Sequence, residues 1–372
     1  MQVKDFIETL QSDFYTGVPD SLLKPLCNYL IDKYGNNNER HVIAANEGNA
    51  TAIAAGYHLA TNKIPVVYMQ NSGEGNVVNP VASLLSNKVY AIPMIFVIGW
   101  RGEPGVKDEP QHIFQSTITL KLLEDLNISY FILKRETTLD EFQASMKNFY
   151  EDLSKGKQVA FIVCKNALTF DKDVIYSNEN KLLREDAIRR IVAVSNKDII
   201  VSTTGKISRE LFSIREENNQ SHEYDFLTVG SMGHASSIAL GLAMNLKGKK
   251  IWCIDGDGAL LMHMGALAVI GANNPQNFIH VVINNESHES VGGMPTVAGC
   301  IKIAEIARAC NYSYVASVDS YTELDNELSY ITAHHQLSFL EIKTSVSSRH
   351  DLGRPTISPI DNKNNFMRSI FQ

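Results

Sequence analysis

The chain has 372 residues, 44% of them hydrophobic, and a formal net charge of -7. That length closes sizeable cores and suits two domains better than one. The acidic balance argues against a nucleic-acid or anionic-membrane partner, because either is met by a basic face.

The N-terminal stretch MQVKDFIETLQSDFYTG reads as an amphipathic helix with interspersed acids rather than a secretory signal. No apolar run approaches the ~20 residues of a membrane span. The runs HVIAA (41–45), IPVVYMQ (64–70), IPMIFVIG (92–99), SYFIL (129–133) and QVAFIVC (158–164) read as buried parallel strands, spaced widely enough for crossover helices. The polar stretch that follows has no periodicity and reads as a linker. A second series then begins: DIIVST (198–203), DFLTV (225–229), KIWCID (250–255), FIHVVIN (278–284), YSYVAS (312–317) and SFLEIK (338–343). The expected fold class is α/β, with two doubly wound parallel-sheet domains over 1–168 and 182–372, a linker over 169–181 and no middle domain. Five cysteines without CxxC spacing, Cys164 and Cys253 within apolar runs, are expected as buried free thiols in a reducing cytoplasm.

In such sheets ligands sit at the carboxyl ends of strands. Glu47 follows HVIAA, Gly99 to Lys107 follow IPMIFVI, Asp257 follows KIWCID, and Asn284 and Asn285 close FIHVVIN. Asp257 and Asn285 therefore end neighbouring strand candidates, so their oxygens can converge on one hard cation such as Mg²⁺, completed by phosphate oxygens. Gly256 and Gly258 let a diphosphate approach the backbone, and a helix starting near Ala259 offers N–H groups to an anion. Taken alone, Gly-Asp-Gly is a common tight turn and Asn-Asn a common strand end. No GxxxxGK[ST] and no GxGxxG after a strand is present, which speaks against a P-loop NTPase or a dinucleotide oxidoreductase.

Asp-Gly after one apolar strand and Asn-Asn ending the next, with a helix between, resembles the signature of the thiamine diphosphate-dependent enzymes. The resemblance implies Asp257, Asn285 and the Ser287 carbonyl as metal ligands, and Gly256 and Gly258 beside the diphosphate. It implies Glu47, in AANEGNATAIAAGYHLAT, as the carboxylic acid that makes the aminopyrimidine basic, a role suited to a raised pKa. Within TVGSMGHASSIALGLA it implies Met232 as the apolar wedge under the cofactor and the Gly230 carbonyl as acceptor for its amino group. It also implies a homodimer or higher, with active sites between subunits.

Further stretches narrow the resemblance to small decarboxylases of this family. YTGVPDSLLKPL, YMQNSGEGNVVNP, RGEPGVKDEPQ, STTGKISRELF, NNESHESVGGMPT and SRHDLGRPT look like phosphonopyruvate decarboxylases. Sulfopyruvate decarboxylases are the alternative; since these are often divided into two chains, the fused chain leans toward the phosphonate reaction. The activity implied is non-oxidative decarboxylation of 3-phosphonopyruvate to phosphonoacetaldehyde and CO₂ in phosphonate biosynthesis, with thiamine diphosphate and Mg²⁺ as cofactors. A small anionic 2-oxo acid needs cations and donors, and Arg101, Lys107, His112, Lys206 and His288 on predicted strand-end loops are the candidates, with Arg349 and Arg354 further along. Asp20 or His112 is the expected proton donor to product, although Asp20 also suits a helix N-cap. Glu74 and Met294 depart from the resemblance, where Leu and Gln are expected. A cofactor-binding homologue without turnover is the competing class, against which the intact Glu47, Asp257 and Asn285 speak.

Overall fold

A computed structural model describes residues 1–36, 38–172 and 174–371. It divides into two compact units, Met1–Ile175 with Val291–Met294, and Tyr176–Ser290 with Pro295–Gln372. Asp173, within the expected linker, and Gln372 lie outside the described residues.

The first unit carries β1 (Tyr15–Gly17), β2 (His41–Ile43), β3 (Val66–Gln70), β4 (Met94–Gly99), β5 (Ser129–Leu133) and β6 (Gln158–Val163). They form one parallel sheet in the order β2-β1-β3-β4-β6-β5. The second unit carries β7 (Ile199–Ser202), β8 (Asp225–Leu227), β9 (Ile251–Gly256), β10 (Phe278–Asn284), β11 (Tyr314–Val318) and β12 (Ser338–Lys343). Its parallel order is β11-β12-β10-β9-β7-β8, which from the other edge retraces the path of the first sheet. In each sheet the chain runs from the first strand to one neighbour, then returns to the other side for the third. The switch points, where ligands bind in open α/β sheets, thus lie beyond β1 and β3 and beyond β7 and β9.

Every residue of β4, β6 and β10 is buried, as expected for strands covered on both faces. In the first unit Phe6, Phe142 and Phe161 join two helices to the sheet, with Phe142 centred 4.9 Å from each of the others. The second core packs Trp252, Ile254, Ile279, Val281, Ile283, Leu340 and Ile342 against Ile188, Ile191, Leu211, Leu324 and Leu328. Each such side chain contributes about 1.5–3 kcal/mol relative to exposure.

The expected helix over MQVKDFIETLQSDFYTG is corrected. Val3, Phe6, Ile7 and Leu10 form its buried stripe, but the helix stops at Leu10, Gln11 turns left-handed at φ 51°, and Tyr15–Gly17 becomes a central strand. The helix expected from Ala259 starts at Asp257 and runs only to Met262. All five cysteines are unpaired; Cys27, Cys164 and Cys253 are buried, whereas Cys300 is exposed and Cys310 half-buried.

Candidate active site

The second unit gathers acceptors at its switch point. Asp257 directly follows β9 and is 2% exposed. Its carboxylate accepts from Thr296 Oγ1 at 2.5 Å and from the backbone N–H groups of Gly258 and Asn285. Burial nevertheless pushes the carboxyl up to about 7, only partly offset by these donors. Such a group is short of positive charge, and a hard dication beside it meets that need.

Asn285, just beyond β10, is oriented by its own bonds. Its Nδ2 donates to Glu289 Oε2 at 2.9 Å, its Oδ1 accepts from the Ser287 N–H at 3.2 Å, and its carbonyl accepts from Asn178 Nδ2 at 2.9 Å. Ser287 is buried as well. Asp257, Asn285 and Ser287 therefore offer the oxygen-only donor set that Mg²⁺ takes, and they fit such an ion.

Gly258 keeps the neighbouring space open. A Cβ there would lie 3.1 Å from His288 Nδ1 and 3.3 Å from Met232 Cε, so any side chain would press on both. Gly256 ends β9 and leads into the short helix without a side-chain cap. Met232, Gly258, His288 and Asp257 thus share one locality, which Gly230 approaches through Ser231.

Two residues of this locality adopt the left-handed region without being glycine. Ser231, between Gly230 and Met232, has φ 55°, and Glu286, between Asn285 and Ser287, has φ 58°. Conformations of this kind cost of order 1–3 kcal/mol and persist where the surroundings over-determine them. Both flank residues singled out in the sequence for cofactor contact.

In the first unit, Glu47 opens the helix Glu47–Thr61, which Asn46 caps by accepting from the Asn49 N–H at 2.8 Å. Its side chain points inward instead of to solvent and is 4% exposed. Asn76 Nδ2 donates to Oε2 at 2.7 Å, and burial raises the carboxyl above its ordinary range despite that bond. Gly73 admits the carboxyl, since a Cβ there would stand 2.5 Å from Oε1. A buried acid poised to hold a proton is the result.

Asp20 follows β1 and is fully buried. It does not cap the helix that starts at Lys24; Oδ2 accepts from the Leu22 N–H at 2.9 Å and Oδ1 from Gln70 Nε2 at 2.6 Å. Burial raises its carboxyl, with Gln70 and the Arg101 charge opposing.

The expected cations divide between the units. Arg101 is paired in two places with Asp108, Nε to Oδ2 at 2.8 Å and Nη2 to Oδ1 at 2.5 Å, and its Nη1 donates to Ser21 Oγ at 3.0 Å. Lys107 is exposed, and His112 lies half-buried in the first turn of the helix Pro110–Asp125. In the second unit Lys206 donates to Glu289 Oε1 at 2.8 Å and to Ser348 Oγ at 2.7 Å. Arg349 is ion-paired with Glu217 at 3.2 Å. Burial pushes His288 down to about 4, which leaves a neutral imidazole, a donor or acceptor and not a cation.

Sequence reading missed Thr296, Asn76, Gln70 and Glu289. Thr296 and Glu289 lie in NNESHESVGGMPT, and Asn76 and Gln70 in YMQNSGEGNVVNP, so the motifs held them without distinguishing their roles. The two departures are both interior: Met294 is buried, and Glu74 is 1% exposed with neither carboxyl oxygen hydrogen-bonded. The Thr119 hydroxyl, beside Glu74, donates to the Gln115 carbonyl at 3.0 Å and only slightly offsets the effect of burial on the Glu74 carboxyl.

Among the described residues no helix is long and apolar enough to cross a membrane. Residues 2–123 match the thiamine pyrophosphate enzyme N-terminal TPP binding domain, and residues 203–342 the C-terminal TPP binding domain. The chain is 31% identical over 363 residues to a phosphonopyruvate decarboxylase of Streptomyces viridochromogenes, covering 93% of this chain and 88% of that one. It is 30% identical over 361 residues to a phosphonopyruvate decarboxylase of Streptomyces hygroscopicus, covering 92% and 86%. A sulfopyruvate decarboxylase of Methanosarcina acetivorans is 29% identical over 320 residues, 80% of this chain and 79% of the relative. A single chain spanning both halves thus occurs with that name too, so fusion of the domains does not discriminate between the two reactions.

Proposed function

The chain belongs to the thiamine diphosphate-dependent decarboxylases, carboxy-lyases of the phosphonopyruvate and sulfopyruvate type, and on that premise we propose that its substrate is 3-phosphonopyruvate, released as phosphonoacetaldehyde and CO₂. The observation that carries the chemistry is the meeting of the buried Asp257 carboxylate with the Asn285 backbone at the switch point of the second sheet. Asp257, Asn285 and the Ser287 carbonyl hold Mg²⁺, while Gly256 and Gly258 leave room for the diphosphate. Met232 and the Gly230 carbonyl would hold the cofactor's thiamine moiety, the first by apolar contact and the second as a hydrogen-bond acceptor.

Thiamine diphosphate, when bound, supplies the nucleophile and the electron sink for loss of CO₂. Glu47 holds the proton that the pyrimidine side requires, because its buried carboxyl stays protonated where an exposed one would ionise. Asp20, also raised by burial, is the acid from which product takes a proton, with His112 as the other candidate. Arg101, Lys107 and Lys206 provide charge for the two anionic groups of substrate. His288 contributes as a neutral imidazole donor or acceptor beside Gly258. The active form is a homodimer or higher.

End-to-end likeness to two phosphonopyruvate decarboxylases supports this substrate. Sulfopyruvate is the second reading, favoured by the Methanosarcina acetivorans relative. Aldehyde release from phosphonopyruvate, sulfopyruvate and pyruvate, with and without added thiamine diphosphate and Mg²⁺, tests both. Cofactor-dependent turnover fastest on phosphonopyruvate is expected; preference for sulfopyruvate transfers the assignment, and no turnover on any acid removes it.

A further inference from the structure

We infer that Glu289 is the positioning residue that decides which end of the Asn285 amide faces the metal. This rests on the reading of Asn285 as a metal ligand.

An asparagine amide has a donor end and an acceptor end of nearly equal size, and only the oxygen serves a hard cation. If nothing fixes the amide, half its orientations are useless. Here Asn285 Nδ2 donates to Glu289 Oε2 at 2.9 Å. A carboxylate only accepts, so the NH₂ group must face Glu289 and Oδ1 must face away from it. Oδ1 then lies where it accepts the Ser287 N–H at 3.2 Å, on the loop that carries the remaining proposed ligand.

Glu289 can impose this because it is itself immobilised. Arg184 Nη1 donates to the same Oε2, and Lys206 Nζ donates to Oε1 at 2.8 Å. Arg184 is in turn fixed by two bonds of 2.7 Å to Glu210, with side-chain exposures of 4% and 1% for the pair. The helices Arg184–Ser195 and Lys206–Glu217 each lend one cation, so the carboxylate is aimed from two rigid elements. Partners of ligating residues act on metal affinity by typically 10- to 100-fold. The same carboxylate also holds Lys206, which ties a proposed substrate cation to a proposed metal ligand.

The test measures thiamine diphosphate binding at fixed Mg²⁺ by isothermal titration calorimetry, with no turnover required. Asn285→Ala comes first: unchanged affinity removes the ligand reading and this inference with it. With that reading intact, Glu289→Ala should weaken binding about tenfold or more. Glu289→Gln should stay within about threefold, since its amide oxygen can still accept from Asn285 and Arg184. In an Asn285→Asp background the sign should reverse, because a carboxylate at 285 has no wrong end and is relieved when its like-charged neighbour is removed. A Glu289→Ala effect of the same sign and size in both backgrounds would reduce Glu289 to an ion-pair partner of Arg184 and Lys206 and overturn the inference. Melting temperatures of all variants separate lost affinity from lost folding.

Discussion

Thr296 Oγ1 donates to Asp257 Oδ2 across 2.5 Å in the interior of the second unit, linking the residue that directly follows β9 to one 39 positions later. The bond holds a carboxylate whose remaining protein partners are backbone N–H groups. The protein meets this group with dipoles, and the proposed metal would supply the full positive charge.

Removal of either partner should separate these contributions. Asp257→Ala is expected to abolish detectable binding of Mg²⁺ and thiamine diphosphate together, read by calorimetry. Thr296→Val deletes one bond to a charged group and should cost about 1.5–3 kcal/mol in metal-free protein, read from urea midpoints. Unchanged cofactor affinity in Asp257→Ala would refute the metal assignment.

Glu47→Gln preserves shape and the bond from Asn76 but holds no transferable proton. Cofactor affinity should remain within a few fold, while kcat should fall by about 10²- to 10⁴-fold, the usual size of a general acid–base contribution. Near-normal kcat in this variant would sink the role given to Glu47.

Glu74 yields a pH prediction. Burial pushes its carboxyl up to about 8, so the native state keeps the proton while the unfolded chain loses it in the ordinary carboxylate range. Its contribution is therefore complete below the unfolded pKa and is lost as pH rises toward about 8, at up to roughly 1.4 kcal/mol per pH unit. Glu74→Leu should match or exceed the parent in stability, with an advantage that grows between pH 5 and pH 8 and levels off above. A pH-independent difference in denaturant midpoints would contradict this account.

Glu286 occupies a conformation that costs a side-chain-bearing residue roughly 1–2 kcal/mol and glycine almost nothing. After the entropy that glycine loses on folding, Glu286→Gly should gain up to about 1 kcal/mol of stability. Cofactor affinity should fall a few fold, because Asn285 and Ser287 would be less firmly held. Loss of stability together with tighter binding would count against the strain reading.

Much of the architecture was legible because the strands are apolar runs of a kind that only doubly covered sheets bury. SYFIL, FIHVVIN and SFLEIK coincide with β5, β10 and β12 end for end. β1 was not legible: three residues pressed between a helix and a Gly-Val-Pro turn show no alternation, although that strand seats Asp20. Asp257 and Asn285 were readable from their place after strands. Thr296, Asn76 and Glu289 were not, since a hydroxyl, an amide or a carboxylate acquires its partner only through folding. The neutral state of His288 was not legible either, since its burial arises only in the folded chain.

The shared strand path of the two sheets also bears on amide exchange. β1 and β3 in one sheet and β7, β9 and β10 in the other are flanked on both sides, so their backbone N–H groups have no open edge from which to fray. Asp257 and Asn285 directly follow β9 and β10, and Asp20 lies shortly beyond β1, whereas Lys107 lies on an exposed loop. Deuterium should therefore enter the loop bearing Lys107 early and reach the strand residues behind Asp257 only when the whole unit opens, so the proposed metal ligands stay in register while that loop exchanges.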